Sequence, residues 1–321
     1  MLSKERVFTA IAMVVILVPF ILLGGYFMYA LCAVLAFIGT YELVKMHNRK
    51  FNLPKALDIV VPFLSFGMVI VAMFADLKLS IDGFKFIIFG LLLAAIVLLI
   101  TSLIYSELKV TDSFYYIGAI LYGGLSFAVV AAIRNIDLFP VHHLSIGKID
   151  LNLSGLFIFV YVYFTTIFTD IGAYSIGCRI GKHKLIPSIS PNKSVEGAIG
   201  GSICGTIVGT ICLILAEEFV GFNLFGIESL GLKIVIVLVV SIMLTIISQL
   251  GDLIASKLKR EYGIKDYGNL FPGHGGVMDR FDSVILTCAV FFVVLTLLGV
   301  VLWLNCVYLA QQVQLVVKFL I

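Results

Sequence analysis

The chain has 321 residues, of which 61% are hydrophobic and 13% charged, and its formal net charge is +3. Its mean hydropathy is +1.14, whereas a soluble domain is about 25% charged. This composition excludes a water-soluble globular fold, and the small net charge gives no sign of a nucleic-acid partner.

Apolar runs of spanning length lie near residues 7–24, 27–44, 59–76, 86–105, 114–132, 154–177, 198–216, 231–251 and 283–305. A helix needs about 20 such residues to cross roughly 30 Å of hydrocarbon, while barrel strands would be about 10 residues long with strict alternation. The predicted fold is therefore all-α, a polytopic integral membrane protein with about nine transmembrane helices. It divides into residues 1–132, with five spans, and residues 133–321, with four spans and the site loops. The first run is long and lacks a small-residue cleavage site, so no separate signal peptide is expected. The tail 306–321 is apolar but interrupted by Gln311, Gln312 and Gln314, and reads as a surface helix or a tenth span.

With the N-terminus inside, only Lys78, Lys85, Arg134, Lys148, Lys233 and Lys318 of the 22 lysines and arginines fall outside. That asymmetry follows the positive-inside rule. It places the loops 178–197 and 252–281 together on the cytoplasmic face, and 133–151, with His142 and His143, on the other. Adjacent histidines in such a loop are more often unremarkable than metal ligands. The cysteines, at 32, 178, 204, 212, 288 and 306, lack paired spacing and read as small packing residues.

Asp170 lies near the cytoplasmic end of the sixth span, with Tyr174 one turn later. The loop that follows supplies Lys182, Lys184, Ser188, Ser190, Lys193 and Ser194 before Glu196 and a glycine-rich helix start. Some of these side chains suit phosphate, although Asn192–Ser194 before Glu196 reads equally as a capped helix. The stretch is not a Walker loop, because Gly177 to Lys182 is one residue short and His183 stands where Ser or Thr is needed. The pairs Gly197–Gly201 and Gly201–Gly205 have the spacing of close helix packing, either within one subunit or between two.

Asp252 ends the eighth span, with Ser256 and Lys259 or Arg260 on neighbouring turns of one face. In FPGHGGVMDRFDS, Pro272, Gly273, Gly275 and Gly276 prevent an ordinary helix and allow close approach of a bulky ligand. Asp279 and Asp282 follow, one turn apart at a helix start, where capping explains one carboxylate more readily than two. Three carboxylates against a basic loop suit Mg²⁺, which is held by one or two carboxylates plus substrate phosphates. Zinc suits the stretch poorly, since His274 has no cysteine or second histidine beside it in sequence.

The segment Ser256–Asp282, SKLKREYGIKDYGNLFPGHGGVMDRFD, resembles the signature of the phosphatidate cytidylyltransferases, also called CDP-diglyceride synthases. QLGDLIASKLKR and SPNKSVEGAIGG resemble the same family, so the likeness runs from about Asp170 onward, while the first 130 residues agree mainly in being hydrophobic. The resemblance implies condensation of phosphatidate with CTP, dependent on Mg²⁺, giving CDP-diacylglycerol and pyrophosphate. It implies a metal centre at Asp252 and Asp279 with Asp282 beside it, the number of metal ions being open to a second. It also implies a membrane-embedded homodimer, in a bacterial cytoplasmic membrane with the site facing the cytoplasm.

Lys259, Arg260, Lys265 and Arg280 are then candidates for headgroup and triphosphate contacts. Lys182, Ser190, Lys193, Ser194, Ser256, Gly275 and Gly276 are candidates for binding the nucleotide. His274 either steadies a leaving phosphate or braces the glycine turn. The alternative is a nucleotidyl- or phosphotransferase acting on an isoprenoid lipid phosphate, which shares the carboxylates, the magnesium and the many spans. A transporter would require broken spans repeated in two halves, and no such repeat is evident.

Overall fold

The structure is a computed structural model that describes residues 4–74, 81–136, 143–146, 149–220 and 229–297. Helices occupy all nine expected places: α1 Lys4–Leu23, α2 Gly25–Phe51, α3 Leu57–Phe74, α4 Ile81–Ile104, α5 Val110–Asn135, α6 Leu153–Ile180, α7 Val195–Val220, α8 Leu230–Glu261 and α9 Met278–Leu297. Eight contain stretches long and apolar enough to cross a membrane, and the apolar part of α1, Phe8–Leu23, is shorter. The outer end of the ninth predicted span, the tail 306–321 and His142 lie outside the described residues; His143 opens a short strand.

Two helices run well past their predicted ends. α2 continues beyond residue 44 and α8 beyond residue 251, because the reading stopped where charges begin, whereas a helix closes its own hydrogen bonds in water as in lipid. At about 1.5 Å per residue, the 32 residues of α8 reach about 48 Å. That exceeds the roughly 30 Å of hydrocarbon, so the polar end from Asp252 to Glu261 projects beyond it.

Two antiparallel hairpins interrupt the all-helical pattern: β1 His143–Ile146 with β2 Ile149–Asn152, and β3 Lys184–Ile186 with β4 Ser190–Ser194. The second folds the segment read from sequence as a loop, pairing Lys184 with Ser194 and Ile186 with Ser190 across a turn at Pro187–Ile189.

Side chains at the helix ends tie the bundle at both faces. On one face Arg134, fully buried, donates from Nε to the Ile21 carbonyl (2.5 Å) and from Nη2 to the Leu22 carbonyl (2.8 Å), satisfying carbonyls that the end of α1 leaves free. The chain turns there at Gly24, where φ is +62° and a Cβ would sit 2.7 Å from the guanidinium carbon. On the opposite face Thr9 donates to the Pro272 carbonyl (3.2 Å), and His47 joins Asp112 (3.0 Å) to the Tyr262 hydroxyl (2.7 Å). The helix ends therefore group onto two faces of the bundle.

Glycines on α7 recur at four-residue intervals and face α6. A Cβ at Gly201 would lie 2.6 Å from the Thr169 carbonyl oxygen, and one at Gly205 2.1 Å from Thr169 Oγ1. Both GxxxG pairs are thereby used within one subunit. α9 packs on both halves of the chain: Phe281 meets Phe127 of α5, while Phe291 meets Tyr161 of α6.

Candidate active site

α8 spaces Thr245, Ser248, Asp252, Ser256 and Lys259 at three- and four-residue steps, which puts them on one face. Gly251 on the same helix lets α9 come close; a Cβ there would lie 2.9 Å from the Asp282 carbonyl oxygen. Since Gly251 meets Asp282 while Lys259 meets Asp279, the two helices run in opposite directions and their acidic residues share one seam.

The glycine turn that joins them is closed by its own backbone. Phe271 N–H donates to the Gly275 carbonyl (2.9 Å) and His274 N–H to the Phe271 carbonyl (2.8 Å). Gly273 and Gly275 adopt φ of +72° and +82°, a region glycine enters without strain. At Gly275 a Cβ would also press to 2.8 Å from Asp279 Oδ2.

Asp279 is buried and holds this turn. Its Oδ1 accepts from Lys259 Nζ (2.8 Å), and its Oδ2 accepts from the N–H groups of Tyr267 (2.7 Å) and Gly276 (3.0 Å). Three of roughly four acceptor positions on a carboxylate are thus engaged. The Lys259 ammonium also lies 5.2 Å from the centre of the Tyr267 ring. Burial pushes the Tyr267 phenol above its ordinary value, which keeps it a neutral donor to the Ala255 carbonyl (3.0 Å).

Asp252 is half-buried. Lys193 of β4 reaches its Oδ2 at 2.5 Å, and Ser256 donates to its Oδ1 at 3.2 Å. Asp282 is buried and accepts from the Ser283 N–H (2.8 Å). Asp170, Asp252 and Asp282 are close enough to repel one another, with Lys193 offsetting the first and Lys259 the last. Among the described residues, no three His, Cys, Asp or Glu side chains form a ready-made metal cage. The donors are oxygen only, and the acidic residues crowd together with few lysines to neutralise them. That fits Mg²⁺, which takes one or two carboxylates and completes its shell with water and phosphate.

The remaining predicted residues divide. Lys265, His274, Gly275 and Arg280 line a cavity of about 600 Å³ with Asp266, Asn269 and Phe271. His274 Nδ1 is buried there without a hydrogen-bond partner among the described residues. Arg260 ties loops together, donating to the carbonyls of Ile189 (3.4 Å) and Ile264 (3.0 Å). Ser194 is buried and accepts from the Gly197 N–H (3.2 Å), so its hydroxyl serves the start of α7. Lys182 gives its N–H to Glu196 (3.1 Å) while its side chain points to solvent, and Ser190 lies half-buried in β4.

Lys257 is well exposed and pairs only loosely with Glu261 (3.9 Å). Lys257→Ala is accordingly expected to leave turnover within about twofold, whereas Arg260→Ala, which unties the β3–β4 hairpin, costs several-fold. Parallel assays of the two purified variants check this, and equal losses would count against the placement of α8.

Two residues escaped the sequence reading, and both come from the N-terminal half. Glu42 of α2 is buried, with Oε1 accepting from the Val277 N–H and Oε2 from the Met278 N–H, each at 3.0 Å. Tyr122 stands in a π-helical stretch of α5, Ile120–Leu125, a distortion frequent at functional sites. Its buried hydroxyl has no partner among the described residues and lies within electrostatic reach of Asp282 and Asp252. A glutamate inside an apolar run was the available signal for the first; nothing in composition marks the second.

Comparison with known proteins agrees with this geometry. Residues 4–298 match the profile described as the Cytidylyltransferase family. Phosphatidate cytidylyltransferase of Staphylococcus saprophyticus is 32% identical over 301 residues, covering 93% of this chain and 98% of its own. The proteins of the same name from Staphylococcus haemolyticus and Staphylococcus aureus are each 33% identical, over 300 and 302 residues, with the same coverage. The likeness extends through the N-terminal half, where Glu42 and Tyr122 lie. The chain belongs to the cytidylyltransferase family and is an integral-membrane enzyme of the nucleotidyltransferase kind.

Proposed function

We propose that the protein transfers the cytidylyl group of CTP to phosphatidate, on the cytoplasmic face of a bacterial membrane and as a homodimer. The observation that carries this reading is the seam of Asp252 and Asp282, matched by Lys193 and Lys259, at the level where α8 leaves the hydrocarbon. One substrate reaches such a place sideways through lipid and the other through water. The names of the Staphylococcus relatives point to the same pair of substrates.

In the reaction an oxygen of the phosphatidate phosphate attacks the α-phosphorus of CTP. A new P–O bond forms while the bond from the α-phosphorus to the bridging oxygen breaks, and pyrophosphate leaves with that electron pair. The attacking phosphate is already anionic near neutral pH, so the demand on the protein is to bring like charges together and hold them in line. Lys265 and Arg280, which line the cavity with Asp266 and Asn269, are the side chains we assign to the triphosphate. His274 is assigned to the same cavity, where its buried Nδ1 supplies an unused polar atom. Lys193 and Lys259 lie on the seam, where they offset negative charge that grows on the transferring group.

Asp252 and Asp282 are the residues we assign to holding Mg²⁺, which would supply a Lewis acid that withdraws charge from phosphate. Asp279 was expected among the ligands; with three donors already on its oxygens, its part is to orient Lys259 and fix the turn.

The test is an assay of purified protein with phosphatidate, labelled CTP and Mg²⁺, following labelled lipid and pyrophosphate together. Equal amounts of the two products are expected. Labelling of a polyprenyl phosphate in place of phosphatidate would overturn the choice of acceptor and favour the isoprenoid alternative.

A further inference from the structure

We propose that Glu42 is a positioning residue for the reaction, setting the acidic start of α9 in register against α8; this rests on α8 and α9 forming the reaction centre. Its carboxylate spans the N–H groups of Val277 and Met278 with two bonds of 3.0 Å, across more than two hundred residues of sequence. Free N–H groups at a helix start favour an anion, and no lysine, arginine or histidine pairs with Glu42 among the described residues. Its charge is therefore committed to the backbone of this one helix.

The surroundings are shaped to the carboxylate. A Cβ at Gly268 would lie 2.4 Å from Glu42 Oε1, and one at Gly276 2.2 Å from it, so both positions must stay bare for the carboxylate to seat. Gly276 also donates its N–H to Asp279, which in turn holds Lys259. A shift of Glu42 is thus passed through one backbone unit to the ion pair that joins α9 to α8. The same helix grips the other end of the connection: His47 meets the Tyr262 hydroxyl at 2.7 Å, and Lys50 donates to the Glu261 carbonyl at 2.7 Å. α2 brackets residues 262–277 at both ends, with Glu42 at the end nearer the carboxylates.

A plain helix cap would contribute to stability alone. Positioning predicts something different: a loss of kcat per folded molecule with KM for CTP nearly unchanged, and an energetic coupling between Glu42 and Gly276, against which it seats. Glu42→Gln keeps size but turns an N–H₂ donor toward an N–H, and is expected to lower kcat by about 10- to 100-fold with KM for CTP within about threefold. Gly276→Ala, which displaces the carboxylate, is expected to do the same. In the double variant Glu42→Asp, Gly276→Ala the shorter side chain leaves room for the methyl group, so the two losses combine to less than their product.

The experiment measures kcat and KM of the full-length variants in detergent, normalised to folded protein, together with hydrogen exchange across residues 262–280. Expected are faster exchange in that segment in Glu42→Gln and the sub-multiplicative double variant. Wild-type kcat in Glu42→Gln, or fully multiplicative losses in the double variant, would overturn the proposal. If Glu42→Gln does not fold, Glu42→Asp, Gly276→Ala and their combination decide alone. The measurements use whichever lipid phosphate the wild-type enzyme accepts, so an incorrect choice of acceptor appears in the wild type and failure of the Glu42 assignment only in the variants.

Discussion

Asp279→Asn is expected to lower turnover by at least about 10²-fold while the protein stays inserted in the membrane. The wild-type carboxylate gathers the Lys259 ammonium and two backbone N–H groups on two oxygens. An amide has one oxygen and one N–H₂, so at least one of those donors then faces another donor. If the amide nitrogen turns to Lys259, a buried ammonium loses its counter-charge, and breaking a buried pair typically costs about 3–5 kcal/mol. If it turns the other way, the link from Gly276 and Tyr267 opens and the glycine turn is released. Either outcome separates α9 from α8 at the point where the reaction is assigned. The check is labelled CTP incorporation into lipid by purified Asp279→Asn, with thermal unfolding measured alongside. Near wild-type incorporation would show that the turn carries no functional charge.

Asp252→Asn is expected to reduce turnover by about 10²- to 10³-fold and to raise the Mg²⁺ concentration needed for half-maximal activity. Asp252 is more open than Asp279; its contacts are Lys193 at 2.5 Å and the Ser256 hydroxyl. That environment suits a ligand better than a brace, since a carboxylate with exposed surface can exchange a lysine for a cation at small structural cost. Removing its charge also relieves repulsion on Asp170 and Asp282, so stability is expected to hold or rise while activity falls. A Mg²⁺ titration of the purified variant, paired with its melting temperature, separates the two effects. An unchanged Mg²⁺ dependence would move the cation away from Asp252.

The contrast between these two aspartates shows how far the sequence reached. Both were visible as carboxylates flanking a glycine turn, and both were assigned to metal. Their distinct surroundings were not visible, because the donors around Asp279 are mostly backbone N–H groups, which every residue carries and no sequence pattern marks. Ser194 illustrates the same limit from the other side: its hydroxyl was grouped with phosphate-binding candidates, and it caps α7. The hairpin at 184–194 was missed because Pro187 follows one strand, Pro191 lies inside the other, and strands of three and five residues are too short for a period of two to register.

By itself the sequence determined the membrane class, the helical places and the family likeness. These follow from hydropathy, charge and residue type, which are local and additive along the chain. Only the tertiary structure decided that Glu42 and Tyr122 of the N-terminal half approach the C-terminal carboxylates, and that Asp279 gathers Lys259 and two backbone N–H groups. Helices cross and pack through side-chain shape, and a bare glycine at 268, 276 or 251 gains its meaning only from the atom that arrives opposite it.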